Sequence, residues 1–237
     1  MAVLIISSTI LIFGTLFGIY WWAGALRVDR EEFSANVLPH HFEREDVNIA
    51  LVSVKALYFV PANKRDAIRA NWREVLGKHL ERLQEFHTLE SAGRSALQFE
   101  IDSQPVIGRE ENTFYDSDVT QHGNPEALRR ISKELEEGGY FSEARDGYRV
   151  FLILYEGVGA SGSENVALVS SAFLALPEYG AAATTILAHE FYHTLGIPDG
   201  YDLRTGRANS NDIMGEGRAR PIEKTFISSD TRARIGF

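Results

Sequence analysis

Residues 184–202 read TTILAHEFYHTLGIPDGYD. At the centre is the pattern H-E-x-x-H, formed by His189, Glu190 and His193. On a helix, positions four apart stand one above the other on the same face, so both imidazoles can reach one metal ion. Glu190 follows the first histidine and falls near that face, where it can hold a water molecule without ligating the metal. Ile186, Leu187 and Ala188 lead into the motif and suit a helix whose other side is buried. Gly196 comes three residues after His193, and a glycine there can end the helix in a left-handed conformation and turn the chain back. The returning chain carries Asp199, a hard oxygen donor ten residues after His189. Two imidazoles and one carboxylate leave a fourth position for water, which is the donor set of a catalytic zinc site, not a structural one.

Five residues alone are a short signal. The extension to H-E-x-x-H-x-x-G-x-x-D, and the later Asp212-Ile213-Met214-Gly215, make it far more specific. The segment resembles the metzincin clan of zinc peptidases, in the branch whose third ligand is Asp. Snapalysin-like and immune-inhibitor-A-like peptidases share its Gly-x-Pro-Asp-x-Tyr continuation, here Gly196-Ile197-Pro198-Asp199-Gly200-Tyr201. The resemblance covers residues 184–217. It implies an α/β (α+β) fold, zincin-like, with a mixed twisted sheet and an active-site helix. It implies Zn²⁺ on His189, His193 and Asp199, with Met214 in the tight turn beneath the metal. It also implies a sheet-edge strand ahead of the helix, to which a substrate peptide adds as a further strand. By element order the candidate is 165–171, with Ala167, Leu168, Val169 and Ser170 at its middle. Some members carry a tyrosine after the methionine turn, whereas Met214 is followed by Gly215-Glu216-Gly217. Tyr201 is the candidate for its role, and Asp212 is a candidate to hydrogen-bond within the turn or to a ligand histidine.

The chain has 237 residues, enough for one domain with a full core plus an appendage. Its net charge is −9, which argues against nucleic acid as a partner, since phosphate binding needs a basic face. Cysteine is absent, which excludes disulfides, thiolate ligands and a cysteine nucleophile.

Residues 2–26 contain no charged side chain. As a helix they would span about 37 Å, enough to cross a hydrocarbon core of about 30 Å. Tyr20, Trp21 and Trp22 fall where an aromatic belt would lie. A signal peptide could be cut after Ala23-Gly24-Ala25, but the missing basic n-region and the long apolar run favour an uncleaved single-pass anchor. The expected organisation is a transmembrane anchor or signal segment over 1–26, a juxtamembrane linker over 27–46, and a catalytic domain over 47–237. The flanking charges do not set the orientation, and it is the resemblance that implies a catalytic domain outside the cytoplasm, or a secreted one if the segment is removed.

Strands are expected at 47–60, 96–101, 148–155 and 165–171, and helices at 63–90, 125–138 and 228–237. Asn63 is the expected cap of the first helix. His79 and His87 fall on that helix as surface or boundary residues, and His40, His41 and His122 as loop residues. His122 is the one distant histidine that could substitute as a ligand. Glu110, Glu111, Asp116 and Asp118 could bind calcium, but their spacing matches no known loop. Asp202, Asn209, Asn211 and Asp212 are a second such group.

The chemistry expected of this set is hydrolysis of peptide bonds in a peptide or protein substrate, with Glu190 as general base. Two alternatives share the residues: a zinc amidase of the same fold acting on a non-peptide amide, and a membrane-anchored zinc-binding scaffold.

Overall fold

The computed structural model describes residues 37–120, 123–201, 208 and 211–237. The apolar segment 2–26, the first part of the expected linker, His122, Asp202 and Asn209 lie outside the described residues. Among the described residues no helix is long and apolar enough to cross a membrane. Leu38–Phe237 form the compact unit described below.

Five strands form one continuous sheet in the order β2-β1-β4-β6-β5, and a short β3 also pairs with β1. They are β1 (Leu51–Val60), β2 (Ala96–Ile101), β3 (Val106–Ile107), β4 (Tyr148–Tyr155), β5 (Ala160–Ser163) and β6 (Val166–Ser170). All pairings are parallel except β5 with β6. The result is a mixed α/β fold with helices on both faces of the sheet.

Side-chain alternation decides which face each helix covers. Val52, Val54, Ala56 and Tyr58 of β1, with Val150, Leu152 and Leu154 of β4, point to one face. There they meet α1 (Trp72–Glu90) through Trp72, Leu76, Leu80 and Leu83, and α5 (Ala183–His193) through Leu187, Ala188 and Phe191. Leu57 and Phe59 of β1, with Phe151, Ile153 and Tyr155 of β4, point to the other face. They pack against Leu128, Ile131 and Leu135 of α3 (Pro125–Glu137). Strands β1 and β4 are buried on both sides, which is why YRVFLILY reads as a continuous apolar run. The remaining helices are short: α2 (Asn112–Tyr115), α4 (Ser171–Ala175) and α6 (Ser229–Arg234).

Several expectations change. Strand β6, expected to offer Ala167–Ser170 to a substrate, is paired on both sides, with β4 and with β5. It therefore has no free edge, and the antiparallel edge strand is β5. The hairpin joining them turns at Glu164 and Asn165, with Glu164 at φ 53°. The first long helix begins at Trp72, not at 63; residues Ala62–Ala67 form a 3₁₀ turn. Asn63 does not cap it, because its side-chain amide is spent on Asn112, accepting from the Asn112 N–H at 2.9 Å and donating to Asn112 Oδ1 at 2.7 Å. Residues 39–46, expected within a linker, pack onto the fold: Phe42 N–H donates to Leu195 O at 2.9 Å and His41 is buried.

His87 is not a surface residue. It is fully buried, stacked on Tyr192 and edge-on to Phe191 and Phe237. Ser95 Oγ donates to Ile49 O at 2.5 Å, so His87 Nε2–H donates to Ser95 Oγ at 2.8 Å. His87 Nδ1 is left to accept from the Tyr192 hydroxyl at 3.3 Å. Burial pushes the His87 pKa down to about 3 from 6.5. A neutral buried imidazole contributes stability that is present above pH 6.5 and is lost as pH falls towards the folded pKa. Denaturant unfolding of the wild type between pH 7 and pH 4 should show a slope reaching about 1.4 kcal/mol per pH unit from this one proton. His87→Gln should remove that part of the slope, and equal slopes in both proteins would contradict the assignment.

Candidate metal centre

Helix α5 carries the motif and is almost wholly buried: His189 and Glu190 are 4% and 9% exposed. It ends in a Schellman turn. Gly196 adopts φ 81°, its N–H donates to His193 O at 3.0 Å, and Ile197 N–H donates to Tyr192 O at 3.3 Å. This turn delivers two groups to the same imidazole. Ile197 O accepts from His193 Nδ1 at 2.8 Å, and Asp199 comes back against His193 Nε2 at 3.3 Å. His189 is fixed in the same way: its Nδ1 donates to Ile213 O at 2.9 Å, and its Nε2 lies 3.3 Å from Asp199 Oδ1.

Both Nδ1 atoms are thus protonated donors, so a neutral ring keeps its lone pair on Nε2. The two Nε2 atoms are 3.2 Å apart. Asp199 Oδ1 is buried and has no hydrogen-bond partner. Three electron-rich atoms therefore face one another at 3.2–3.3 Å, with no proton assigned between them. Tetrahedral ligands at about 2.0–2.1 Å from an ion stand about 3.3–3.4 Å apart. The donor types and their spacing fit a divalent cation.

Glu190 lies beside this triangle; ligand atoms of His189, Glu190 and His193 fall within 4.8 Å of one another. Asp199 approaches both rings more closely. Burial raises the Glu190 pKa, against the pull of the two imidazoles and of Arg218. Burial also works to lower the His193 pKa, but the Asp199 and Glu190 carboxylates outweigh it and the net shift is upward. Asp199 is held well below the usual carboxylate range; burial opposes this and the two imidazoles overcome it.

The turn carrying Met214 braces the returning chain and His189 through backbone atoms. Met214 is buried, its N–H donates to Asp212 Oδ1 at 2.6 Å, and its carbonyl accepts from Gly200 N–H at 2.7 Å. Asp212 Oδ2 also accepts from Ser228 N–H at 3.2 Å. Asp212 therefore bonds within and around the turn, and through Ile213 O the turn orients His189. Tyr201 stacks on the His189 ring with centroids 6.4 Å apart.

A cleft of about 520 Å³ opens over these groups, lined by Glu190, Asp199, Tyr201, Arg218 and residues 158–162 of the edge-strand region. A second cavity of about 780 Å³ shares His193 and Gly162 with it and continues past His41, Arg44, Tyr148 and Glu164. Gly162 is required there: a Cβ would collide with Glu190 O and press on His193 Cβ.

Three contributors were not legible in the sequence. The edge strand Ala-Ser-Gly-Ser looks like a flexible turn; its one signal is Asn165, a turn-forming residue directly ahead of the apolar run of β6. His41 packs on Gly196, where a Cβ would collide with its ring. Arg218 lies over the Tyr201 ring at 4.0 Å, and nothing in its local sequence points to the cleft. Glu110, Glu111, Asp116 and Asp118 do not gather into a metal cluster among the described residues. Asp116 Oδ1 serves Asn124, Tyr155 and Val158, and Asp118 pairs with Arg130.

No protein-family model and no curated protein sequence matches the chain. Among solved structures it is similar to a catalytically inactive OgpA from Akkermansia muciniphila, in complex with an O-glycopeptide substrate. That match has a TM-score of 0.50 and 14% identity, covering 76% of this chain and 58% of that one. The chain thus spans less than two thirds of that protein. A zinc-dependent peptidase from Methanocorpusculum labreanum matches with a TM-score of 0.40 and 12% identity, covering 77% of this chain and 99% of that one. At such identity the first likeness describes the fold, and it agrees with the mixed α/β architecture above.

Gly196→Ala should disturb the centre without touching a donor atom. It places a side chain at φ 81° and against the His41 ring. Strain of about 1–2 kcal/mol is expected from the left-handed conformation alone. Competition with a chromophoric chelator should show zinc affinity reduced at least about tenfold, since a misplaced Ile197 carbonyl and Asp199 weaken the site. Wild-type affinity in this variant would show that the turn does not set the ligand geometry.

Proposed function

We propose that the protein is a zinc-dependent endopeptidase of the metzincin type, with His189, His193 and Asp199 as ligands and Glu190 as general base. The observation that carries this reading is the convergence of two imidazole lone pairs and one partnerless buried carboxylate oxygen at 3.2–3.3 Å. Zinc bound there would lower the pKa of water towards neutrality and polarise the scissile carbonyl.

The residues do the rest. Glu190 accepts the proton of the attacking water and returns it to the leaving amine. Its burial holds its pKa above the ordinary carboxylate value, which moves it in the direction a base working near neutral pH requires. Among the described strands β5 pairs with β6 alone, and with Ala160 O accepting from Asn124 N–H the backbone at Gly162 is the place where an extended substrate can add as a strand. The two clefts meet at His193 and Gly162, so the groove continues past the metal ligands on one side. A groove open in this way suits a bond inside a chain, which supports an endopeptidase. The neighbour solved with a glycopeptide is consistent with a peptide substrate, and the anchor over 2–26 remains a reading of the sequence.

Glu190→Gln is the test. The variant should retain one zinc per chain and lose about 10²–10⁴-fold in turnover of an unstructured protein. Zinc retained together with wild-type turnover would sink the mechanism.

A further inference from the structure

We propose that Arg218 is the specificity-determining residue of this cleft and that it binds a substrate carboxylate close to the scissile bond. The inference deepens the peptidase reading and rests on it. Arg218 belongs to a 3₁₀ turn, Glu216–Ala219, that follows the methionine turn directly. Among the described residues lining the metal cleft it is the one Lys or Arg side chain. This stands out in a chain whose net charge is −9.

The position is built. Gly217 N–H donates to Asp212 O at 3.0 Å, and a Cβ on Gly217 would collide with Thr225 Oγ1 and two backbone oxygens. Arg220 N–H donates to Gly217 O at 2.9 Å, and Arg220 O accepts from Thr185 Oγ1 on the active-site helix at 2.5 Å. Arg218 is thus tied on one side to the methionine turn and on the other to α5. Its guanidinium lies 4.0 Å over the Tyr201 ring, whose other neighbour is His189. Stacking occupies a face of the guanidinium and leaves its N–H edge in the ring plane for a bidentate acceptor.

The groups around it explain why the acceptor comes from outside. Among the described residues Arg218 makes no ion pair. The nearby acids Glu190 and Asp199 are committed to the base and ligand roles. Val119, Val158, Phe173, Ile186 and Ala219 give the same cleft an apolar part of its lining. A half-buried guanidinium in such a setting discriminates strongly between a carboxylate and its uncharged isostere. The carboxylate can come from an acidic side chain flanking the scissile bond or from the end of a short peptide.

Four peptides of one sequence test this: Glu or Gln beside the scissile bond, each with a free or an amidated C-terminus. The wild type should prefer a carboxylate peptide by at least about tenfold in kcat/KM, carried mainly by KM. If the side chain is the source, the Glu peptides win whatever their terminus; if the chain end is the source, the free acids win. In Arg218→Gln the preference should fall to near one, and in Arg218→Glu it should invert. Fluorescence anisotropy of the same peptides on zinc-loaded Glu190→Gln protein gives the same ranking without turnover. It decides the matter even if none of these peptides is cleaved. Absence of a preference in the wild type, or an unchanged preference in Arg218→Gln, would overturn the proposal. So would an equal loss on all four peptides, which marks a merely structural arginine. The peptidase reading fails on a different result: no cleavage of any peptide or unstructured protein by the wild type.

Discussion

Two imidazole nitrogens and a carboxylate oxygen are held within 3.3 Å of one another in a largely buried site, and all three are electron-rich. With both rings neutral this arrangement is repulsive, and either a proton on His193 or a cation between the three atoms relieves it. The fold nevertheless fixes each donor from behind. Ile213 O and Ile197 O set the two tautomers, and Met214 O holds the residue after Asp199. A set of acceptors so arranged fits a divalent ion.

Seen from that centre, the sheet and helices have clear tasks. Helix α5 is buried on nearly every side, between α1, the edge hairpin and the turn carrying Arg218. Its backbone is therefore fixed to within small displacements by close-packed neighbours. Gly162 lets β5 approach the helix closely, against Glu190 O and His193 Cβ. The order β2-β1-β4-β6-β5 puts β5 at the end of the sheet, where Asn124 N–H donates to Ala160 O on its outer side.

What the sequence reveals here divides by range. Helix α5, the glycine that ends it and the returning Asp199 are legible because helical periodicity and a left-handed turn act over only a few residues. The two-sided burial of β4 is legible for the same reason. The misread features depend on distant partners. Asn63 looks like a helix cap until Asn112 claims its amide. His87 looks peripheral until Phe237 and Tyr192 enclose it. The hairpin β5–β6 hides its edge because strand order is a tertiary property, and four small residues carry no alternation to announce a strand. Arg218 is silent because its meaning comes only from what it faces.

The most direct measurement is X-ray absorption at the zinc edge on protein loaded with one equivalent, comparing the wild type with Asp199→Ala. The wild type should show a shell of two imidazole nitrogens and light oxygen donors at about 2.0–2.1 Å. The variant should lose the protein oxygen and retain the ion more weakly. A wild type that takes up no zinc, or a variant whose ion keeps the same shell and the same affinity, would contradict the assignment of these ligands.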